Sequence, residues 1–201
     1  MNTSNKVPFG SGAILSPVPA VIVSCGSVDC PNAMTAAWTG TVNTSPPKLY
    51  VSIRRERYSY DIISQTGEFV INLVTRELTA AADYLGVRSG RNEDKLARLG
   101  LGVSKCQKVT APMLDKSPVS IECRVDRVIP LGSHDMFIAD IVAVNVNPEL
   151  IDENGRLCLE KAGLIAYCHG QYYSLGQRIG SFGFSVRKKT KRRKKTQTKH
   201  K

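Results

Sequence analysis

A chain of 201 residues with 42% apolar side chains fits one domain that buries its own core without disulfide or metal staples. Its formal charge of +11 resembles that of a nucleic-acid binder, yet 10 of its 28 Lys and Arg fall in the acid-free tail "RKKTKRRKKTQTKHK", residues 187–201. Residues 1–186 therefore hold 18 bases against 17 acids, which takes the near-neutral body out of the class of basic nucleic-acid-binding cores.

In chain order, "PVPAVIVSCG" predicts a first strand, because Val21, Ile22 and Val23 are β-branched and Gly26 ends the run. "KLYVSIR" predicts another. "SYDIISQTG" reads as a short helix with Ser59 at the N-cap, Asp61 in the positive first turn and Gly67 closing it. "EFVINLV" returns to strand. "ELTAAADYLG" and "NEDKLARLG" predict two helices, each ending on the glycine expected just past the C-terminus, Gly86 and Gly100. "VSIECRV" alternates, with Val119, Ile121, Cys123 and Val125 on one face and Ser120, Glu122 and Arg124 on the other. "PLGSHD" turns into "MFIADIVAVNV", a strand apolar on both sides that needs cover on both faces, the second from another subunit. "NPELIDENGR" is a polar turn region, and "KAGLIAYCHGQYY" reads as a final strand. Strands outnumber helices, and the short links fit an antiparallel barrel with inserted helices.

Six scattered cysteines (Cys25, Cys30, Cys106, Cys123, Cys158, Cys168) include no C-x-x-C pair, so reduced, mostly buried thiols of a cytoplasmic protein are expected and no metal centre is. No run reaches the ~18 apolar residues of a membrane span, and "MNTSNKVPFG" lacks the apolar stretch of a signal peptide. The tail is a self-repelling block: it either grips phosphates in a salt-dependent way or is simply solvated.

Two neighbouring segments carry the candidate chemistry. In an extended run Arg55 and Arg57 share a face and Arg54 does not, whereas a turn after Arg54 lets Arg54 and Arg57 converge. Paired guanidinium forks at a helix N-terminus match a phosphate monoester; a surface turn with solvated arginines is the alternative. Just upstream, Ala33, Ala36 and Ala37 let a flat ring approach the main chain, and Thr35 adds a hydroxyl. Trp38 either walls an aromatic site or belongs to the core. His134 and Asp135 suggest base or metal work only weakly, and the glycines at 86, 90, 100 and 102 do not form the strand–G-x-G-x-x-G–helix dinucleotide fingerprint.

The order N-x-M-T-x-x-W, then P-P before a strand, R-x-x-R-x-S, "GEFVINL" and "GSHDMFIADIVAV" resembles the flavin reductase-like family of FMN-binding split β-barrels. "YYSLG" with "GSFGFS" is most similar to its flavoredoxin branch. The resemblance, over roughly residues 18–183, implies an antiparallel Greek-key split β-barrel over residues 1–186, homodimeric, with one non-covalent FMN per subunit. It places Asn32, Met34, Thr35 and Ala36 along the isoalloxazine, with Ala37 and Trp38 close behind. Ser52, Ile53 and Arg54 follow the ribityl chain, and Arg57, Tyr58 and Ser59 close around the phosphate. Thr is common in the family where Ser59 stands, and the hydroxyl is kept. His134 matches a histidine near the flavin or nicotinamide.

The resulting expectation is an FMN-dependent oxidoreductase passing electrons from NAD(P)H to flavin or a downstream acceptor. The alternatives are an FMN electron carrier fed by a redox partner protein, with little NAD(P)H turnover, and nucleic-acid binding through the tail.

Overall fold

Seven strands build one antiparallel sheet. They are β1 (Val21–Gly26), β2 (Pro31–Ala36), β3 (Thr39–Thr44), β4 (Pro47–Ile53), β5 (Glu68–Leu73), and, after two two-residue strands, β6 (Val103–Ser104) and β7 (Met113–Leu114), the long pair β8 (Val119–Pro130) and β9 (Asp135–Val146). Their spatial order is β2-β1-β5-β8-β9-β4-β3, each neighbouring pair antiparallel. This computed structural model describes residues 5–187, so the basic tail from Lys188 onward lies outside the described residues.

The strand order itself forces a barrel. β2 and β3 stand at opposite ends of the order, yet only Ala37 and Trp38 join them. In an open sheet the end strands would lie six spacings of about 4.8 Å apart, roughly 29 Å. A two-residue link reaches only ~11 Å between the flanking Cα atoms. The sheet must therefore curl until its two ends meet, and the Ala37–Trp38 link marks the seam. There the Ser52 N–H on β4 donates to the Trp38 carbonyl, 2.8 Å.

Alternation along the strands sorts two cores. Val21, Val23 and Cys25 of β1 join Val51, Ile53, Phe69, Ile71, Phe137 and Ala139 inside the barrel. Ile22 and Ala33 point the other way, where α2 (Thr79–Val87) and α3 (Lys95–Leu99) cover them with Ala82, Leu85 and Leu96. Both faces of β1 are thus buried, as its nearly unbroken apolar run requires. The alternation of "VSIECRV" also survives, but Ser120 and Glu122 are covered rather than solvated. Asn72 ties that face together: its Nδ2 donates to the Ser24 hydroxyl at 2.8 Å, and its Oδ1 accepts from the Leu114 N–H at 2.9 Å and the Ser120 hydroxyl at 2.8 Å. Burial pushes the Glu122 carboxyl up, but donors from Asn145 and the Gln107 and Lys108 amides outweigh it and hold the group below its usual range.

Three sequence expectations are corrected. The helix α1 (Tyr58–Thr66) has Arg57, not Ser59, at its N-cap; Ser59 lies inside the first turn, buried. α2 runs past Gly86 to Val87 and caps on Arg88, whose N–H donates to the Tyr84 carbonyl. Gly86 does not take the left-handed conformation of a helix stop, whereas Gly100 does end α3 in the left-handed region at φ 59°. The last predicted strand is a hairpin, β10 (Ile165–Cys168) and β11 (Gln171–Ser174), reversed at His169 and Gly170, whose φ angles are 48° and 84°. The outer side of β9, by contrast, has no cover from its own chain equal to that of the core side: Phe137 and Ala139 are buried, while Met136 and Ile138 stay half-exposed.

Candidate functional site

The turn between β4 and α1 separates the three arginines. The Arg57 N–H closes it by donating to the Arg54 carbonyl, 3.1 Å. Arg55 swings toward β9, where it grips Asp135, and Arg54 and Arg57 turn together into the same two cavities. The Arg57 side chain is braced by its own hydrogen bond, NH1 to the Gly86 carbonyl at 2.9 Å, which ties the turn to the end of α2.

The first cavity, of about 360 Å³, lies against the N-terminus of α1. Asn32, Met34, Arg54, Arg57, Tyr58 and Ser59 line it, as do five residues the sequence did not assign to the site: Glu56, Arg88, Ser89, Gly90 and Lys95. The Asn32 amide donates to the Ser59 hydroxyl at 2.7 Å and fixes that wall. The second cavity, about 200 Å³, follows the barrel seam and is lined by Met34, Thr35, Ala36, Ala37, Trp38, Ser52, Ile53, Arg54, Arg57 and His134. Because Met34, Arg54 and Arg57 line both, the two adjoin. All thirteen residues that the family resemblance assigned thus meet around one cleft, whereas Ala33, expected to let the ring approach, is buried against α2 and α3 and lines neither cavity. Trp38 is not a core residue: it is 40% exposed.

Lys95 is the least expected member, since "NEDKLARLG" reads as an ordinary polar helix start. It is only 4% exposed, and its ammonium donates to the carbonyls of Ala33, at 2.6 Å, Arg88, at 3.1 Å, and Leu85, at 3.4 Å. Burial pushes it below the usual lysine range, and the Arg57 charge pushes further the same way. These bonds hold β2 to the end of α2. They also orient the strand: in an antiparallel pair successive residues turn their peptide groups to opposite sides. With the Ala33 carbonyl directed at Lys95, the peptide group of Thr35 faces the same open edge, beside the seam.

Other nearby groups are structural. Asp135, expected at most as a weak base or ligand candidate, is 2% exposed and accepts from Arg55 (Nε, 2.9 Å; NH2, 3.2 Å) and from the Tyr60 hydroxyl at 2.7 Å, which keep its carboxyl below the usual range. The Cys25 thiol, beside Asn32, is pushed up to about 11 by burial and is no nucleophile at neutral pH. Arg91 lies over the Tyr58 ring at 5.3 Å and pairs with Asp61 at 2.5 Å, bracing the outside of the arginine turn. Among the described residues no cluster of His, Cys, Asp and Glu could hold a metal, and the six cysteines are unpaired. No described helix is long and apolar enough to cross a membrane.

The cleft fits a flat ligand with an anionic end. Arg54, Arg57, Arg88 and Lys95 gather positive charge at one end, with Glu56 the one acid lining it among the described residues, and the α1 N-terminus opens there. Small side chains and outward peptide groups line the other end. Close approach is built in at Gly90, where a Cβ would come within 2.2 Å of Asn32 Oδ1 and 3.0 Å of the Tyr58 ring.

Comparison with known proteins agrees with this geometry. The sequence profile of the flavin reductase like domain matches residues 14–176. The chain is 34% identical over 130 residues to an uncharacterised protein of Archaeoglobus fulgidus, covering 65% of this chain and 73% of that one. It is 27% identical over 116 residues to the FMN reductase (NADH) RutF of Cronobacter sakazakii, covering 57% and 67%. Its fold superposes on the flavoredoxin of Desulfovibrio vulgaris (Miyazaki F) with a TM-score of 0.84 and 31% identity, covering 90% of this chain and all of the other.

Proposed function

Since the chain belongs to the flavin reductase-like family, we propose that its cleft binds one non-covalent FMN and that the protein passes electrons from NAD(P)H to that flavin or to a downstream acceptor. The observation that carries this reading is the convergence of Arg54 and Arg57 at one end of a cleft whose other end is the small-residue seam. Residues 1–186 act as the FMN-binding domain. Arg57, Arg54 and Ser59, with Arg88 and Ser89, hold the phosphate at the α1 N-terminus. Ser52 and Ile53 flank the ribityl chain. Asn32, Met34 and the 35–38 backbone seat the ring. FMN, when bound, supplies the two-electron redox chemistry. The protein's share is to orient and to tune: peptide N–H donors of the seam favour negative charge on the ring edge they meet. His134 lines the seam cavity, and in this reading it is the residue a docking nicotinamide meets.

Flavin absorbance measured before and after FMN addition, then after anaerobic NADH and NADPH, tests the reading. A bound yellow flavin bleached by either nucleotide supports it. An FMN-saturated protein that neither nucleotide bleaches favours a second reading, an FMN electron carrier served by a protein donor, for which the structural likeness to flavoredoxin speaks. No flavin binding at all ends both. We further take the half-exposed outer face of β9 as the mating surface of a homodimer, with the partner subunit supplying the missing cover.

A further inference from the structure

The segment that follows β11 has no place on its own barrel. Leu175, Phe184 and Val186 are exposed, and Ile179 and Phe182 are fully so, at 98% and 104%. Among the described residues, the hydrogen bonds made by its backbone N–H groups stay within the segment, Phe184 N–H to the Ser181 carbonyl and Val186 N–H to the Gly183 carbonyl. Large apolar residues recur along it between glycines at 176, 180 and 183, so it combines a hydrophobic ligand with a pliant backbone. Left in water, these side chains forgo the burial that ordinarily rewards such residues.

The same chain carries an apolar surface of matching character. Register puts Tyr50 of β4, Met136 and Ile138 of β9 and Ile129 of β8 beside one another on the outer side of the barrel: Tyr50 pairs with Ile138, and Met136 pairs with both Ser52 and Ile129. None of the four is buried. The patch runs into the cleft, because Ser52 lines the seam cavity and donates its N–H to the Trp38 carbonyl.

We propose that residues 175–186 form an arm that docks on this patch in a second copy of the chain and walls the seam cavity of that copy. The proposal rests on the dimer reading above and deepens it. A second copy is the occupant because each chain supplies both the uncovered arm and the uncovered patch. A two-fold pair satisfies both at once, each arm crossing to the other barrel. Twelve residues of extended chain reach up to ~40 Å, enough to cross an interface between two small barrels. In this arrangement Ile179 and Phe182 replace water over the outer β4–β9 face, and the cleft gains an apolar edge beside Trp38.

The test uses the full chain without flavin, so its outcome is independent of cofactor binding. Light scattering and sedimentation over a concentration series give the dimer dissociation constant of the unmodified chain, Ile179→Asp and Phe182→Asp; residues so exposed leave the monomer's far-UV spectrum and melting unchanged. In parallel, a chain with p-benzoylphenylalanine at position 182 is photolysed as a mixture of ¹⁴N and ¹⁵N copies. The expected result is a dimer weakened at least tenfold by either aspartate, with mixed-isotope cross-links to the peptide spanning residues 128–138. A dimer unaffected by both substitutions, or cross-links confined to one isotope, overturns the arm while leaving the dimer standing. A monomer at every concentration overturns both.

Discussion

The Arg55 guanidinium holds the Asp135 carboxylate through two contacts, Nε to Oδ2 at 2.9 Å and NH2 to Oδ1 at 3.2 Å, and so divides the labour among three clustered arginines. Arg55 fastens the β4–α1 turn to β9; Arg54 and Arg57 are left to face the cleft. Arg57→Ala should weaken FMN binding by roughly 1.5–3 kcal/mol, the range for a charge-assisted hydrogen bond, or about 10- to 150-fold. Arg55→Ala should lower the melting temperature and change affinity far less. Fluorescence titration with FMN and a thermal melt on both variants separate the two roles, and equal losses of affinity would show that the division is wrong.

The same pair sets an acid limit. Arg55 first, and Tyr60 after it, hold the Asp135 carboxyl below its usual range. The contribution is therefore complete above the unfolded value of about 3.9 and is lost as pH falls through the lower folded value. Urea unfolding between pH 2 and 6 should show a steep decline below about pH 4, and a shallower one in Asp135→Asn, which starts from lower stability at neutral pH.

Lys95 predicts a slope of the same sign at the alkaline end of the range. Its folded value is depressed by burial, so the unfolded chain binds more protons in the interval below about 10.4, and stability gained from this residue rises with pH there. Lys95→Met removes the donor to Ala33, Leu85 and Arg88 and should cost about 1.5–3 kcal/mol. The gap between wild type and variant should widen from pH 8 to 10 in denaturant melts. A constant gap would mean that the ammonium is not strained by its burial.

Two glycines near the cleft should respond differently to alanine. At Gly86 a Cβ would meet the Thr35 side chain at 3.4 Å, an ordinary contact, and the helix gains up to ~1 kcal/mol in propensity. At Gly90 it would sit 2.2 Å from Asn32 Oδ1, so Asn32 must move and its bond to Ser59 must break. Gly86→Ala should keep FMN affinity and stability; Gly90→Ala should lose at least tenfold in affinity by the same titration.

How far this was readable in the sequence depends on the kind of signal. β1, β4, β5, β8 and β9 announce themselves through β-branched and alternating runs. β2 and β3 do not, because Ala33, Ala36, Gly40 and Asn43 are poor strand formers that break any β-branched run. Arg57 stands out because three arginines fall together before a helix. Arg88, Ser89 and Gly90 do not, because some thirty residues part them from Arg57 and only α2, lying back across β2, brings them near. Lys95 looks like any solvated lysine at a helix start until α3 turns it inward. The Ser59 cap failed for a similar reason: a buried partner, Asn32, already occupies that hydroxyl.

The two-residue crossing at Ala37 and Trp38 has one more result. Whatever lodges beside it touches both ends of the rolled sheet and works like a pin through a clasp, so the cylinder's hold on itself and its grip on the ligand become a single equilibrium. Amides of β2 and β3 should exchange first in the empty protein, and filling the clasp should slow these two strands more than any others.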